Sequence, residues 1–84
     1  MTRRLDYHVS GLDKWIGQRI RELRHESGQT QEECAARLDM SRPTLSNIET
    51  GTYSITLHGL CSFARAFEVE PRTMLPKEKD LSDA

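Results

Sequence analysis

Two helix-start signals stand close together in this chain, at Thr30 and Ser41, and they confine the middle of the sequence to short helices and a tight turn. Thr30 is followed three residues later by Glu33, a capping box in which the threonine oxygen and the glutamate carboxylate satisfy backbone N–H groups that have no helical partner. A helix therefore begins at Gln31, with Cys34, Ala35 and Leu38 on its apolar side. Asp39 follows where the chain must turn, and aspartate tolerates left-handed backbone angles better than most residues. Ser41 then caps a second helix. Pro43 is acceptable in its first turn because the N–H that proline lacks would have had no intrahelical acceptor there.

At roughly 100° per residue, Leu45 and Ile48 of this second helix point one way and Pro43, Ser46 and Asn47 the other, with Arg42 and Thr44 on the flanks. The aliphatic pair anchors the helix and the polar side is displayed. Arginine, asparagine and hydroxyl groups on a short helix have the chemistry to read base edges in a major groove. An ordinary solvated helix face has the same composition, so this face by itself leaves both readings open.

The wider pattern resembles the helix-turn-helix of the Cro and phage-repressor type, the xenobiotic response element family. The matching residues are Arg19-Ile20-Arg21-Glu22-Leu23-Arg24, then Thr30-Gln31-Glu32-Glu33 with Ala35 at the close helix crossing, then Ser41-Arg42-Pro43-Thr44-Leu45-Ser46-Asn47-Ile48-Glu49 and Gly51. The resemblance runs from about Ile16 to Leu75. It implies an all-α, five-helix, lambda-repressor-like DNA-binding domain with the helix-turn-helix at helices two and three. It also implies a partly buried ion pair between Arg24 and Glu49, and a loop after Gly51 that lies along the DNA backbone. Gln31, Ser41, Thr52, Tyr53 and Ser54 would then face phosphates, and Arg42, Pro43, Thr44, Ser46 and Asn47 would face bases. Homodimers of the family pair through the last helix, which places Met74 and Leu75 at an interface; completing the monomer core is the alternative for both. The chain departs from the family at Asp39 and Glu68, where glycine is usual, and in a loop short of lysine and arginine.

The rest of the chain falls into place around this stretch. Residues 1–12 form a weakly patterned lead-in, in which Arg3 and Arg4 either reach DNA as an arm or fray. Residues 13–75 form the domain. Ser10 or Asp13 caps a first helix, with Ile16, Ile20 and Leu23 on its buried side, Trp15 at the edge, and Gly28 at its end. Thr56 caps a fourth helix reaching Phe67, whose Leu57, Leu60, Cys61, Ala64 and Phe67 recur at spacings of three and four and so belong to the core. Pro71 opens a last short helix ending near Leu75, and residues 76–84 make a polar tail expected to be disordered.

Eighty-four residues suffice for one small domain with a thin core. With 36% hydrophobic and 30% charged residues, and no apolar run near the roughly 20 residues of a membrane span, a soluble cytoplasmic protein is expected. Cys34 and Cys61 lie at apolar helical positions and suit a reducing compartment. A net charge of −1 argues against a basic, non-specific nucleic-acid coat. Bases do prevail before Thr30, at Arg3, Arg4, Lys14, Arg19, Arg21 and Arg24, so the charge is polarised. His8, His25 and His58 show no paired ligand spacing, and no nucleophile stands beside a base. The expectation is therefore no enzyme, no metal and no cofactor. The leading reading is a homodimeric regulator, a repressor that occupies a palindromic operator in double-stranded DNA. Two others stay open: an antitoxin-type module whose main partner is a protein, and a restriction-modification controller that also activates; a protein partner such as a toxin or RNA polymerase is expected to be possible.

Overall fold

The computed structural model describes residues 2–77, with side chains from residue 11 onward. Four α-helices follow one another: α1 (Thr2–Glu26), α2 (Gln31–Arg37), α3 (Arg42–Glu49) and α4 (Leu57–Ala66). A 3-10 turn at Pro71–Met74 completes the order. The described residues are helical or irregular, with no strand. The fifth helix expected at residues 71–75 is thus a single tight turn. The four-residue run starts at a proline, and at its end the Leu75 N–H donates to the Arg72 carbonyl.

Three of the four α-helices begin where a hydroxyl cap stands. Thr30 accepts from the Glu33 N–H at 3.1 Å while the Glu33 carboxylate accepts from the Thr30 N–H at 2.9 Å, the complete capping box. Ser41 accepts from the Thr44 N–H at 3.2 Å, and Thr56 from the Gly59 N–H at 2.9 Å. The first helix differs from the sequence expectation. Rather than starting at a cap on Ser10 or Asp13, α1 begins at Thr2 and runs through both. With no proline in this segment, the preceding turn supplies the acceptors that a cap would have replaced. The Asp13 carboxylate accepts instead from the Ser54 hydroxyl, 2.7 Å away. The side chains of Arg3 and Arg4, the expected arm, lie outside the described residues, as does the tail at 78–84.

Ile16, Ile20 and Leu23 from α1 meet Cys34 and Ala35 from α2, Leu45 and Ile48 from α3, and Leu60, Phe63 and Ala64 from α4 in one apolar core. Met74 closes it with no exposed surface. This corrects the expectation that Met74 serves a dimer interface: the 3-10 turn tucks its side chain inside the monomer, and Leu75 alone of the pair is exposed. In α4 the buried face is also rotated from the expected one. Phe63 is buried and Leu57 and Cys61 are exposed, because residues at spacings of three and four satisfy two adjacent stripes of the same short helix. Phe63 stacks on Phe67 with ring centroids 4.4 Å apart, and the Arg37 guanidinium covers Phe67 at 5.1 Å, tying α2 to the end of α4.

Two turns put a non-glycine residue on left-handed backbone. Asp39 has φ 57° and Glu68 φ 58°, at the two positions where the resemblance implies glycine. The turns keep their left-handed geometry, and a side chain occupies each at a steric cost of roughly 1–2 kcal/mol.

Candidate nucleic-acid interface

The displayed side of α3 is built from the inside outward. Leu45 and Ile48 sink into the core, which leaves Arg42 and Pro43 exposed at the helix start and Thr44, Ser46 and Asn47 partly exposed beside them. Ser41 and Thr44 hydroxyls lie 2.8 Å apart, so each occupies the other and the Thr44 methyl is left for apolar contact. The Asn47 carbonyl accepts from the N–H groups of Thr52 and Tyr53 at 2.9 and 3.1 Å, which folds the following loop back onto the end of α3.

Beneath this surface lies a buried ion pair. Arg24 donates through Nε to Glu49 Oε2 at 2.7 Å and through Nη2 to Oε1 at 3.1 Å. Its Nη1 donates to the Gln29 carbonyl at 2.9 Å. Both residues are over nine-tenths buried. The hydrogen bond to Glu49 raises the pKa of the Arg24 guanidinium above its ordinary value despite desolvation, so the guanidinium keeps its charge. It fixes the end of α3 to α1. From there the polar contacts continue outward: Gln31 Nε2 donates to Glu49 Oε1 at 3.0 Å, and Arg42 Nη1 donates to Gln31 Oε1 at 3.1 Å.

Gly17 brings α1 close to this site and was not singled out from the sequence. A Cβ there would strike the carbonyl oxygens of Ile48 and Glu49, 2.8 Å from the latter. A glycine in the interior of an apolar-periodic helix is itself a signal of close backbone approach. At Gly51 the chain turns with φ +81°, and a Cβ would lie 2.7 Å from Lys14 Cγ. Between them these glycines let α1 seat directly on the end of the displayed helix and its loop.

In the loop itself, the hydroxyls of Thr50 and Thr52 are 2.9 Å apart and the Ser54 hydroxyl donates to Asp13. Tyr53 stands half-exposed. The loop therefore offers neutral donors and, through Asp13, a carboxylate at its flank. His58 is exposed on α4. Among the described residues no three His, Cys, Asp or Glu side chains are grouped to hold a metal, and no helix is long and apolar enough to cross a membrane. Burial raises the Cys34 thiol above its ordinary pKa, which keeps it protonated and inert within the core. On the other side of α1 an open groove of about 490 Å³ is lined by Trp15, Arg19, Glu22, Arg72 and Leu75 among others.

Comparison with known proteins bears directly on this arrangement. Residues 15–76 match a family described as a helix-turn-helix domain. The control protein C.BamHI of Bacillus amyloliquefaciens is 33% identical over 61 residues, covering 71% of this chain and 75% of that protein. The crystal structure of the restriction-modification controller protein C.AhdI from Aeromonas hydrophila aligns with TM-score 0.69 and 32% identity, over 74% of this chain and 94% of that one. The clp gene regulator ClgR from C. glutamicum shares the fold with TM-score 0.70 at 21% identity, covering 84% of this chain and 88% of the regulator.

Proposed function

The chain belongs to the helix-turn-helix domain family, and from that premise we propose that it is a homodimeric, sequence-specific DNA-binding transcription regulator that seats α3 in the major groove of a palindromic operator. The observation that carries this reading is the exposed polar face of α3 held on a buried Arg24–Glu49 pair. A recognition helix has to be rigid where it meets the bases, and this one is anchored by two charges as well as by Leu45 and Ile48. Arg42 can donate twice to the major-groove acceptors of guanine, and Asn47 can pair with adenine. Pro43 and the Thr44 methyl can pack on a thymine methyl, and Ser46 can serve either base edge. Ser41, Thr52 and Tyr53 supply donors toward phosphates, as does the second N–H of the Gln31 amide. Ser54 joins them only by exchanging its bond to Asp13.

For the dimer, the exposed Leu75 beside Trp15 is the apolar surface available at the end of the fold now that Met74 is interior. A controller of the restriction-modification kind, able to activate as well as repress, is the form of this function that the likeness to C.BamHI and C.AhdI favours. Selection of the purified protein on a DNA library, followed by sequencing and repeated with Arg42→Ala, tests the reading. Enrichment of a palindrome whose guanine preference vanishes in the variant is the expected result. No enrichment by the folded protein would shift the function to a protein partner.

A further inference from the structure

Two consecutive residues of α1 hold the loop that follows α3. The Asp13 carboxylate accepts from the Ser54 hydroxyl at 2.7 Å. One residue on, Lys14 lies against the turn at Gly51, where a Cβ would fall 2.7 Å from Lys14 Cγ and 2.9 Å from its Cα. The lysine stem therefore rests on the start of the loop, and a flexible chain carries its ammonium beyond the contact. Lys14 is exposed, and among the described residues no carboxylate lies within ion-pairing distance of it. The end of α3 does not use this charge either: the Ser46, Asn47 and Ile48 carbonyls already accept the N–H groups of Thr50, Thr52 and Gly51 at 3.1, 2.9 and 3.1 Å.

Residues 50–57, from the end of α3 to the start of α4, contain no lysine or arginine. From this placement we propose that Lys14 is a DNA phosphate ligand contributed by α1, outside the helix-turn-helix, and that it supplies the positive charge its neighbouring loop lacks. The inference rests on the function proposed above and adds to it a contact from a third helix. The hydroxyls of Thr52, Tyr53 and Ser54 can donate to a phosphate oxygen but neutralise no charge, whereas an ammonium does both. Ser54 is tied to Asp13, whose carboxylate repels a phosphate, and the lysine beside it offsets that repulsion. Gly51 gains a second role: besides its φ of +81°, its missing side chain leaves the space that the Lys14 stem fills.

The test reads the salt dependence of binding, in which a phosphate contact has its own signature. Lys14→Met keeps the stem that covers Gly51 and removes only the ammonium; Lys14→Arg keeps the charge. Arg65→Met removes one charge from the last turn of α4, about 12 Å along that helix from Leu57, and so controls for net charge. Affinity is measured for each, with wild type, over a salt series on the selected operator and on unrelated DNA. For Lys14→Met the slope of log affinity against log salt becomes shallower by about 0.9 for each half-site bound. The loss is the same on operator and unrelated DNA, and the guanine preference is unchanged. Lys14→Arg and Arg65→Met keep the wild-type slope. Neutral methylphosphonates placed singly along the operator then locate the partner: one position per half-site where wild type loses affinity and Lys14→Met does not. A wild-type slope in Lys14→Met overturns the proposal and assigns the lysine to the fold alone. Equal changes in Lys14→Met and Arg65→Met overturn it as well, since net charge then accounts for both. Wild type that binds no DNA is a separate result, which removes the proposed function and the phosphate contact with it.

Discussion

Cys34 and Cys61 illustrate how position rather than residue type sets behaviour. Cys34 is fully buried, and burial raises its thiol pKa; Cys61 is exposed on α4. A thiol reagent should therefore titrate one cysteine rapidly in the native protein and two after denaturation. The linkage has a definite sign. A folded-state thiol raised above its ordinary value of 9.0 holds its proton longer than the unfolded one. Its contribution to stability is full below 9.0 and is lost as pH rises from there through the raised folded-state value. Urea titrations should show stability declining above that point with a slope that Cys34→Ala flattens. Arg24 and Glu49 form the other buried polar group whose behaviour can be measured. Replacing either by a neutral side chain strands its partner's charge and should cost about 3–5 kcal/mol, whereas the double replacement costs less than the two losses together. Strictly additive losses of Arg24→Met and Glu49→Gln in such a cycle would count against any coupling of the pair.

Among the elements, the junctions carry more consequence than the helices they join. Glu68 sits at φ 58° after α4 with no cap role for its side chain, so Glu68→Gly should raise stability by about 1 kcal/mol. A shift of the urea midpoint upward is the expected reading. The same exchange at Asp39 should gain less, because aspartate visits this region more readily than glutamate. Gly17 works in the opposite sense. Its Cβ has no space between α1 and the carbonyls of Ile48 and Glu49, so Gly17→Ala should destabilise by about 1–3 kcal/mol. It should also weaken DNA binding beyond the loss of folded protein, since the displaced element is α3 itself.

For the whole molecule, association and charge decide the outcome. A symmetric dimer places its recognition helices about 34 Å apart, so protection should span two half-sites one helical turn apart. Leu75→Asp puts a charge at the exposed apolar residue of the C-terminal end. It should dissociate the proposed dimer in sedimentation equilibrium and leave the circular dichroism of the monomer intact. A loop of neutral donors flanked by Asp13, in a chain of net charge −1, neutralises few phosphates. The dependence of affinity on salt should accordingly be shallow, with a slope near −0.9 for each phosphate actually paired.

The local signals were legible because they act over three or four residues. The caps at Thr30, Ser41 and Thr56 fixed the starts of three helices by backbone chemistry alone, and the spacing of Leu45 and Ile48 fixed which side of α3 is displayed. The partnership of Arg24 with Glu49 was legible through resemblance, not through spacing, since they stand on different helices. What sequence left open were choices between locally equal alternatives. Two stripes of α4 are apolar, and only assembly of the shared core, with the 3-10 turn packed on α4, selects Phe63 over Leu57 and Cys61. Asp13 could have capped a helix, but Ser54, distant along the chain, holds its carboxylate while α1 runs on from Thr2. Met74 and Leu75 read alike as residues, yet the 3-10 turn sends one into the core and the other to solvent. The contacts from Glu49 through Gln31 to Arg42 exist only because α2 and α3 pack together there. Sequence determined the elements and the face they offer, since caps and periodicity are short-range; tertiary structure decided which apolar and polar groups meet, since that depends on contacts far apart in the chain.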